Sequence, residues 1–164
     1  MGALDDRVRQ FREAGQQPAP ADYAFARKLL PRDELYELFV LQEPRDILHA
    51  VRTARWLIDR NERDPELLMA ALLHDIGKGH QRTRDRVGWV LAGTLGIGER
   101  FAAHESRLAI RRAAARSAEH AAAGAEMLRR AGAPPLVIEL TLLHHDPHAA
   151  NGMLKLLQAA DAAS

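Results

Sequence analysis

The sequence predicts an all-α fold, and three observations support that prediction. Alanine-rich segments with apolar residues three and four positions apart recur along the chain, as amphipathic helices require. Alternating runs of β-branched residues, which are typical of strands, are absent. The chain has 164 residues, 47% of them hydrophobic and 27% charged, so one ordinary hydrophobic core can be buried.

The N-terminal half is predicted to contain five helices. They are 3–14, 21–30, one between Pro31 and Pro44, 45–61, and one that follows Asp64 and stops at Gly77. Prolines break the chain after the first, polar helix, so 1–17 is predicted to be a helical appendage and 18–164 the folded domain. The fifth helix is apolar nearly all round, which predicts that it lies buried at the centre of the fold.

The C-terminal half is predicted to contain an arginine-rich loop and five more helices. The loop is 79–88, and the helices are 87–95, 100–116, 120–130, 136–145 and 153–163. No internal repeat is apparent. Little sequence follows Asp161, so we expect a neighbouring helix or a second subunit to brace the last helix; in the second case the protein is a homodimer.

The composition excludes several classes of function. Lys and Arg total 23 against 22 Asp and Glu, so no general basic field favours nucleic acid as a partner. There is no cysteine, which leaves imidazole and carboxylate as the metal ligands on offer. The N-terminus lacks the apolar core of a signal peptide and no stretch is long enough to span a membrane, so we expect a cytoplasmic location.

Four polar residues fall on faces that are predicted to point inward. They are Asp75, beside His74 at the end of the most buried helix, and His120, His144 and Asp161. His49 is less clear, because its neighbours three and four positions on are Arg52 and Thr53. A single inward histidine is more often a hydrogen-bonded core residue than a ligand. Several together favour a shared cation, since buried unpaired carboxylates are costly.

The segment Leu72–Lys78 reads Leu-Leu-His-Asp-Ile-Gly-Lys, with His49 before it and Ala160-Asp161 after it. This ordered pattern resembles the HD metal-dependent phosphohydrolase superfamily over residues 35–163. The resemblance implies a helical bundle with a metal site between its central helices. It also implies the ligands of a first metal, at the matching positions: His49, His74, Asp75 and Asp161.

Two further segments, Glu119–Leu128 and Leu143–Asp146, resemble the subfamilies that bind two metals, the HD-GYP phosphodiesterases and the diadenosine tetraphosphate hydrolases. The resemblance implies a second metal on His120 and His144, with His145 as an additional candidate and Asp75 bridging the pair. The Gly-Tyr-Pro signature is missing, which argues against cyclic dinucleotides. The expected cofactor is two divalent transition-metal ions, Fe, Mn, Co or Ni, with Mg also compatible.

The leading function is hydrolysis of a phosphomonoester, phosphoanhydride or nucleotide-type phosphodiester by a metal-activated water, with Asp75 and Lys78 as catalytic residues. Lys78 fits a phosphate contact and a role at helix carbonyls equally well. The substrate-binding candidates are Lys78, Arg82, Arg84, Arg86 and His148, although the arginines also fit a solvated loop. Two rival functions stay open: a di-iron oxygenase, and a non-catalytic module that binds a nucleotide.

Overall fold

The computed structural model describes residues 16–80, 119–148 and 151–164, and over these ranges the protein is all-α, as predicted, with no strand. The helices are α1 (Pro20–Leu29), α2 (Asp33–Val40), α3 (Pro44–Asp59), α4 (Pro65–Leu73), a 3₁₀ helix (Ile76–His80), α5 (helical over 119–130), α6 (Pro135–Leu143) and α7 (Gly152–Ala163). The predicted helices 3–14, 87–95 and 100–116 lie outside the described residues, as does loop segment 81–88. The division at residue 17 therefore stays a prediction.

Four of the helices in the described ranges begin at proline. Pro20, Pro44, Pro65 and Pro135 each occupy the first turn of a helix, where the missing N–H costs nothing and the fixed φ angle favours the helical backbone. In front of α4, the carboxylate of Asp64 also accepts the backbone N–H groups of the second and third helical residues, both at 3.0 Å. Local chemistry therefore determines where the helices that carry the site begin.

Helix α4 lies at the centre of the bundle. It packs against α3, α6 and α7, and also against α1 and α2. Its residues Leu67, Leu68 and 70–73 are all buried, as the nearly all-round apolar sequence predicted. Helix α3 packs against both α4 and α7, so these three helices are in mutual contact.

The end of α4 differs from the prediction. The helix ends at Leu73 with His74 as its C-cap, Asp75 lies in the turn, and the chain continues as the 3₁₀ helix instead of stopping at Gly77. Gly77 has a tertiary role: a Cβ placed there would lie 2.0 Å from the carbonyl oxygen of His120. The sequence rule that glycine ends helices was wrong here, because this glycine permits a close approach to α5.

Helix α6 ends in the same way as α4. The predicted helix continued to residue 145, whereas the observed one ends at Leu143 with His144 as its C-cap and His145 in the following turn.

None of the helices within the described ranges has the length and apolar character that a bilayer crossing requires.

Candidate metal centre

Seven of the predicted site residues converge at one end of the central helices. His49 comes from α3, His74 and Asp75 from the turn after α4, His120 from α5, His144 and His145 from the turn after α6, and Asp161 from α7. Their potential ligand atoms form two groups, each with all its atoms within 4.8 Å of one another. The Asp161 group is His49, His74 and Asp161; the His145 group is Asp75, His120, His144 and His145.

In the Asp161 group, a carboxylate lies between two imidazoles. Oδ1 of Asp161 is 2.8 Å from Nε2 of His49 and 3.4 Å from Nε2 of His74. The two histidine rings have centroids 5.5 Å apart. His49 and Asp161 are partly exposed, at 20% and 26%, whereas His74 is fully buried, so this group reaches from the core toward solvent.

Asp75 is a member of the His145 group and also faces the Asp161 group. Its Oδ2 lies 3.5 Å from Nε2 of His74 and 3.9 Å from Nε2 of His49. Its Oδ1 lies 3.5 Å from Nε2 of His120 and 3.7 Å from Nε2 of His144. Each oxygen of this buried carboxylate is therefore directed at a different group, which is the arrangement that a ligand shared between two cations requires.

His145 lies at the rim of the second group. Its Nε2 is 3.1 Å from Nε2 of His120, and its ring centroid is 3.9 Å from that of His144. Burial and the neighbouring His144 and His120 lower the pKa of His145 to about 4. The ring is therefore neutral near pH 7, the state in which an imidazole can bind a metal.

The two C-cap histidines are oriented by the backbone of their own helices. Nδ1 of His74 lies 3.0 Å from the carbonyl oxygen of Ala71, and Nδ1 of His144 lies 2.6 Å from that of Thr141. A carbonyl oxygen can only accept, so Nδ1 carries the proton and donates it. In the neutral ring the lone pair is then on Nε2, which points into the site, as a metal ligand requires.

Three buried atoms of the site have no hydrogen-bond partner within the part of the chain that the structure describes. They are Nε2 of His74, Nε2 of His144 and Oδ1 of Asp75. Polar atoms buried without a partner are costly, and a carboxylate oxygen most of all. Divalent cations would satisfy all three, so the donor set of these residues fits a metal.

The carboxylates stay ionised despite their burial. Burial alone would raise the pKa of Asp75, but His74, with His120 and His144, holds that pKa well below its usual range. Burial likewise opposes ionisation of Asp161, and the hydrogen bond from His49 and the neighbouring ring of His74 lower its pKa. The pocket is therefore built around two anionic groups, which favours a cation.

The charge on His74 follows from the same balance. Burial lowers its pKa, but the carboxylates of Asp75 and Asp161 outweigh burial, and the pKa is raised above its ordinary value. Lys78, which is 29% exposed, also contacts Oδ2 of Asp75 through its ammonium group. Lys78 therefore places a positive charge beside Asp75, and a metal bound at Nε2 of His74 would replace the proton that this raised pKa favours.

The remaining predicted site residues lie outside both groups or outside the described residues. His148 is exposed and outside both groups, and its backbone N–H donates to the Asp146 carboxylate at 2.9 Å. Arg82, Arg84 and Arg86 lie outside the described residues. Their contribution to substrate binding stays a prediction.

Sequence patterns missed two features of this site. Thr53 obscured the inward face of His49, but it is fully buried and its hydroxyl donates to the His49 carbonyl at 3.0 Å, so it belongs to that face. The carbonyl groups of Ala71 and Thr141 were also missed, because side-chain patterns carry no information about backbone acceptors. Their position three residues before each histidine is the signal that could have indicated them.

The fold and site together define an all-helical protein with a pocket of imidazoles and carboxylates suited to divalent metal. A family model, the HD domain, matches residues 45–163, which is most of the chain. The protein therefore belongs to the HD domain family, which confirms the resemblance that the sequence motifs indicated. No curated protein and no solved structure matches the chain.

Family membership defines the general class of chemistry. HD domains bind divalent metals and are mostly metal-dependent phosphohydrolases, so metal-dependent, hydrolase-type activity is the class to which this chain belongs.

Proposed function

We propose that this protein is a phosphohydrolase with two metal ions, which cleaves a phosphomonoester, phosphoanhydride or phosphodiester of a nucleotide-type small molecule. The observation that carries the proposal is the position of Asp75, whose two carboxylate oxygens face two separate groups of histidines. One ion would be held by the Asp161 group with Oδ2 of Asp75. The other would be held by the His145 group through Oδ1 of Asp75.

Divalent ions in such a pocket would lower the pKa of water, orient a phosphate group and offset charge on the leaving oxygen. The residues of the chain supply the rest. The backbone carbonyls of Ala71 and Thr141 fix two of the imidazole rings. Lys78 lies beside Asp75 and is 29% exposed, which supports a contact between its ammonium group and a phosphate oxygen of the substrate.

The substrate class rests on charge and on the neighbouring sequence. Lys78 and, next in the chain, Arg82, Arg84 and Arg86 supply donors for phosphate, and His148 follows the His144 turn. The near balance of 23 basic and 22 acidic residues favours a small phosphorylated substrate over a long polyanion. A cytoplasmic location, with the chain acting alone or as a homodimer, completes the proposal.

Removing the metal tests the proposal directly. We expect the chelator-treated protein to hydrolyse no nucleotide, dinucleoside polyphosphate or cyclic dinucleotide, as followed by chromatography of the nucleotide products. Adding Mn²⁺, Fe²⁺, Co²⁺ or Ni²⁺ should restore hydrolysis of at least one of them. Elemental analysis should give two ions per chain in the active preparation, and hydrolysis that is unaffected by chelation would contradict the proposal.

An anaerobic assay separates hydrolysis from oxygenase chemistry, since iron also suits these ligands. Hydrolysis should proceed at the same rate with and without O₂, because water is the only co-substrate. Turnover that stops in the absence of O₂ would favour the di-iron oxygenase instead. Bound nucleotide without turnover under either condition would favour the non-catalytic module.

Replacing Lys78 by Gln tests the phosphate contact. A hydrogen bond to a charged group is worth about 1.5–3 kcal/mol, so KM for the phosphate substrate should rise roughly 10- to 100-fold. Two metal ions should remain bound, since no group of ligands loses a member. Lys155→Gln on the exposed face of α7 is the matched control. An unchanged KM in Lys78→Gln would assign the lysine to neutralising Asp75 alone.

A further inference from the structure

Helices α4 and α6 deliver their histidines to the site in the same way. Each helix has nine residues, begins with proline and ends with two leucines followed by a C-cap histidine. In both, Nδ1 of that histidine contacts the carbonyl three residues earlier and Nε2 is buried without a partner among the described residues. The two helix ends are thus equivalent in geometry although none of the six residues between the proline and the two leucines is identical.

The residue after the histidine is where the two helix ends differ. After His74 the chain places the carboxylate of Asp75, and after His144 it places the imidazole of His145. The two groups consequently offer different donor atoms. The Asp161 group with Oδ2 of Asp75 has two nitrogens and two oxygens, and the His145 group with Oδ1 of Asp75 has three nitrogens and one oxygen.

We infer that the two groups differ in metal preference, so that the pocket holds a late transition ion such as Zn²⁺ in the His145 group and a harder ion such as Mn²⁺ in the Asp161 group when zinc is limiting and manganese is abundant. This inference rests on the two-metal site proposed above. It goes further by giving each group its own class of ion.

Donor chemistry provides the reason. Imidazole suits zinc, nickel and copper, while carboxylate and water suit magnesium and manganese. Zinc binds nitrogen and oxygen ligands more tightly than manganese in either group, as the Irving–Williams order requires. What differs between the groups is the size of that advantage. A limited supply of zinc therefore settles in the group with three imidazoles and leaves manganese in the group with two carboxylates.

The test titrates Zn²⁺ into the full-length protein loaded with two Mn²⁺ ions, with released manganese followed by its electron paramagnetic resonance. We expect one manganese to leave at low zinc and the second to leave at zinc concentrations at least about tenfold higher. A tenfold gap corresponds to about 1.4 kcal/mol between the two exchange reactions. A single displacement step would overturn the inference.

Two variants change the donor sets from opposite directions. His145→Asp gives the second group two carboxylates, and Asp161→His gives the first group a third imidazole, so both should bring the two displacement steps together. Ala159→Asp adds a carboxylate on an exposed position of α7 and should keep the steps apart. Steps that stay equally far apart in both site variants would overturn the inference.

The starting stoichiometry separates this inference from the proposed function. Fewer than two manganese ions before zinc is added would contradict the two-metal site, and the inference would fail with it. Two ions that zinc displaces in one step would overturn only the inference and leave the hydrolase proposal standing. Circular dichroism of each variant checks that its helices are intact.

Discussion

Replacing Asp75 by Asn is expected to empty both metal positions and to lower phosphate release by more than about 100-fold. Removing an outer partner of a metal ligand typically costs about 10- to 100-fold, and a ligand shared by two ions should cost more. Asn keeps the size of the side chain but removes the charge from a residue that is 2% exposed and has histidines on both sides. The remaining ligands then lack the shared carboxylate that would bind both metal ions.

Metal-dependent stability gives a readout of the Asp75 change that does not rely on activity. A ligand present at 100 times its Kd stabilises a folded protein by about 2.7 kcal/mol, so metal should raise the Tm of the wild type and leave that of Asp75→Asn unchanged. Asp146→Asn is the matched control, since Asp146 directly follows His145 in the sequence but belongs to neither group. An Asp75→Asn protein that keeps two ions would contradict the shared-ligand assignment.

The fold could largely be predicted from the sequence because its determinants are local. Prolines at helix starts and the apolar composition of 65–73 depend on neighbouring residues, and those helices begin within a residue or two of their predicted positions. The predicted end of α4 at Gly77 was wrong, because the role of this glycine depends on a tertiary contact. Nothing near Gly77 in the sequence indicates that the backbone of α5 passes against it.

The site was only partly predictable, for a related reason. Asp75 was expected to point inward as part of a helical stripe. It lies instead in the turn after α4, and its carboxylate still faces the site. Sequence spacing could indicate that several histidines face the core. It could not show that Oδ1 and Oδ2 of one carboxylate face different groups. That depends on how α3, α6 and α7 pack around α4, and on how α5 lies against the segment after it.

Replacing Gly77 by Ala is expected to destabilise the protein by about 1–3 kcal/mol and to remove the metal of the His145 group. A Cβ at this position would lie 2.0 Å from the carbonyl oxygen of His120 and 2.7 Å from the backbone nitrogen of Gly124. Backbone atoms cannot rotate away as a side chain can, so the 3₁₀ helix and α5 must separate. That movement carries His120 away from Asp75, while His49, His74 and Asp161 lie on other elements.

The sign of the Gly77 effect distinguishes this contact from a conformational effect. Gly77 does not have a positive φ angle, so without a clash alanine would stabilise the protein by about 0.4–1 kcal/mol by restricting the unfolded chain. Gly152→Ala, with nothing within 4 Å of the added Cβ, should be neutral or slightly stabilising. Gly124→Ala meets atoms at 3.3 and 3.4 Å and should be close to neutral, since alanine also favours the helix.

Denaturant unfolding measures the stability of the three variants, and elemental analysis counts their bound ions. A Gly77→Ala protein as stable as wild type with two ions bound would show that the 3₁₀ helix and α5 need no such close approach.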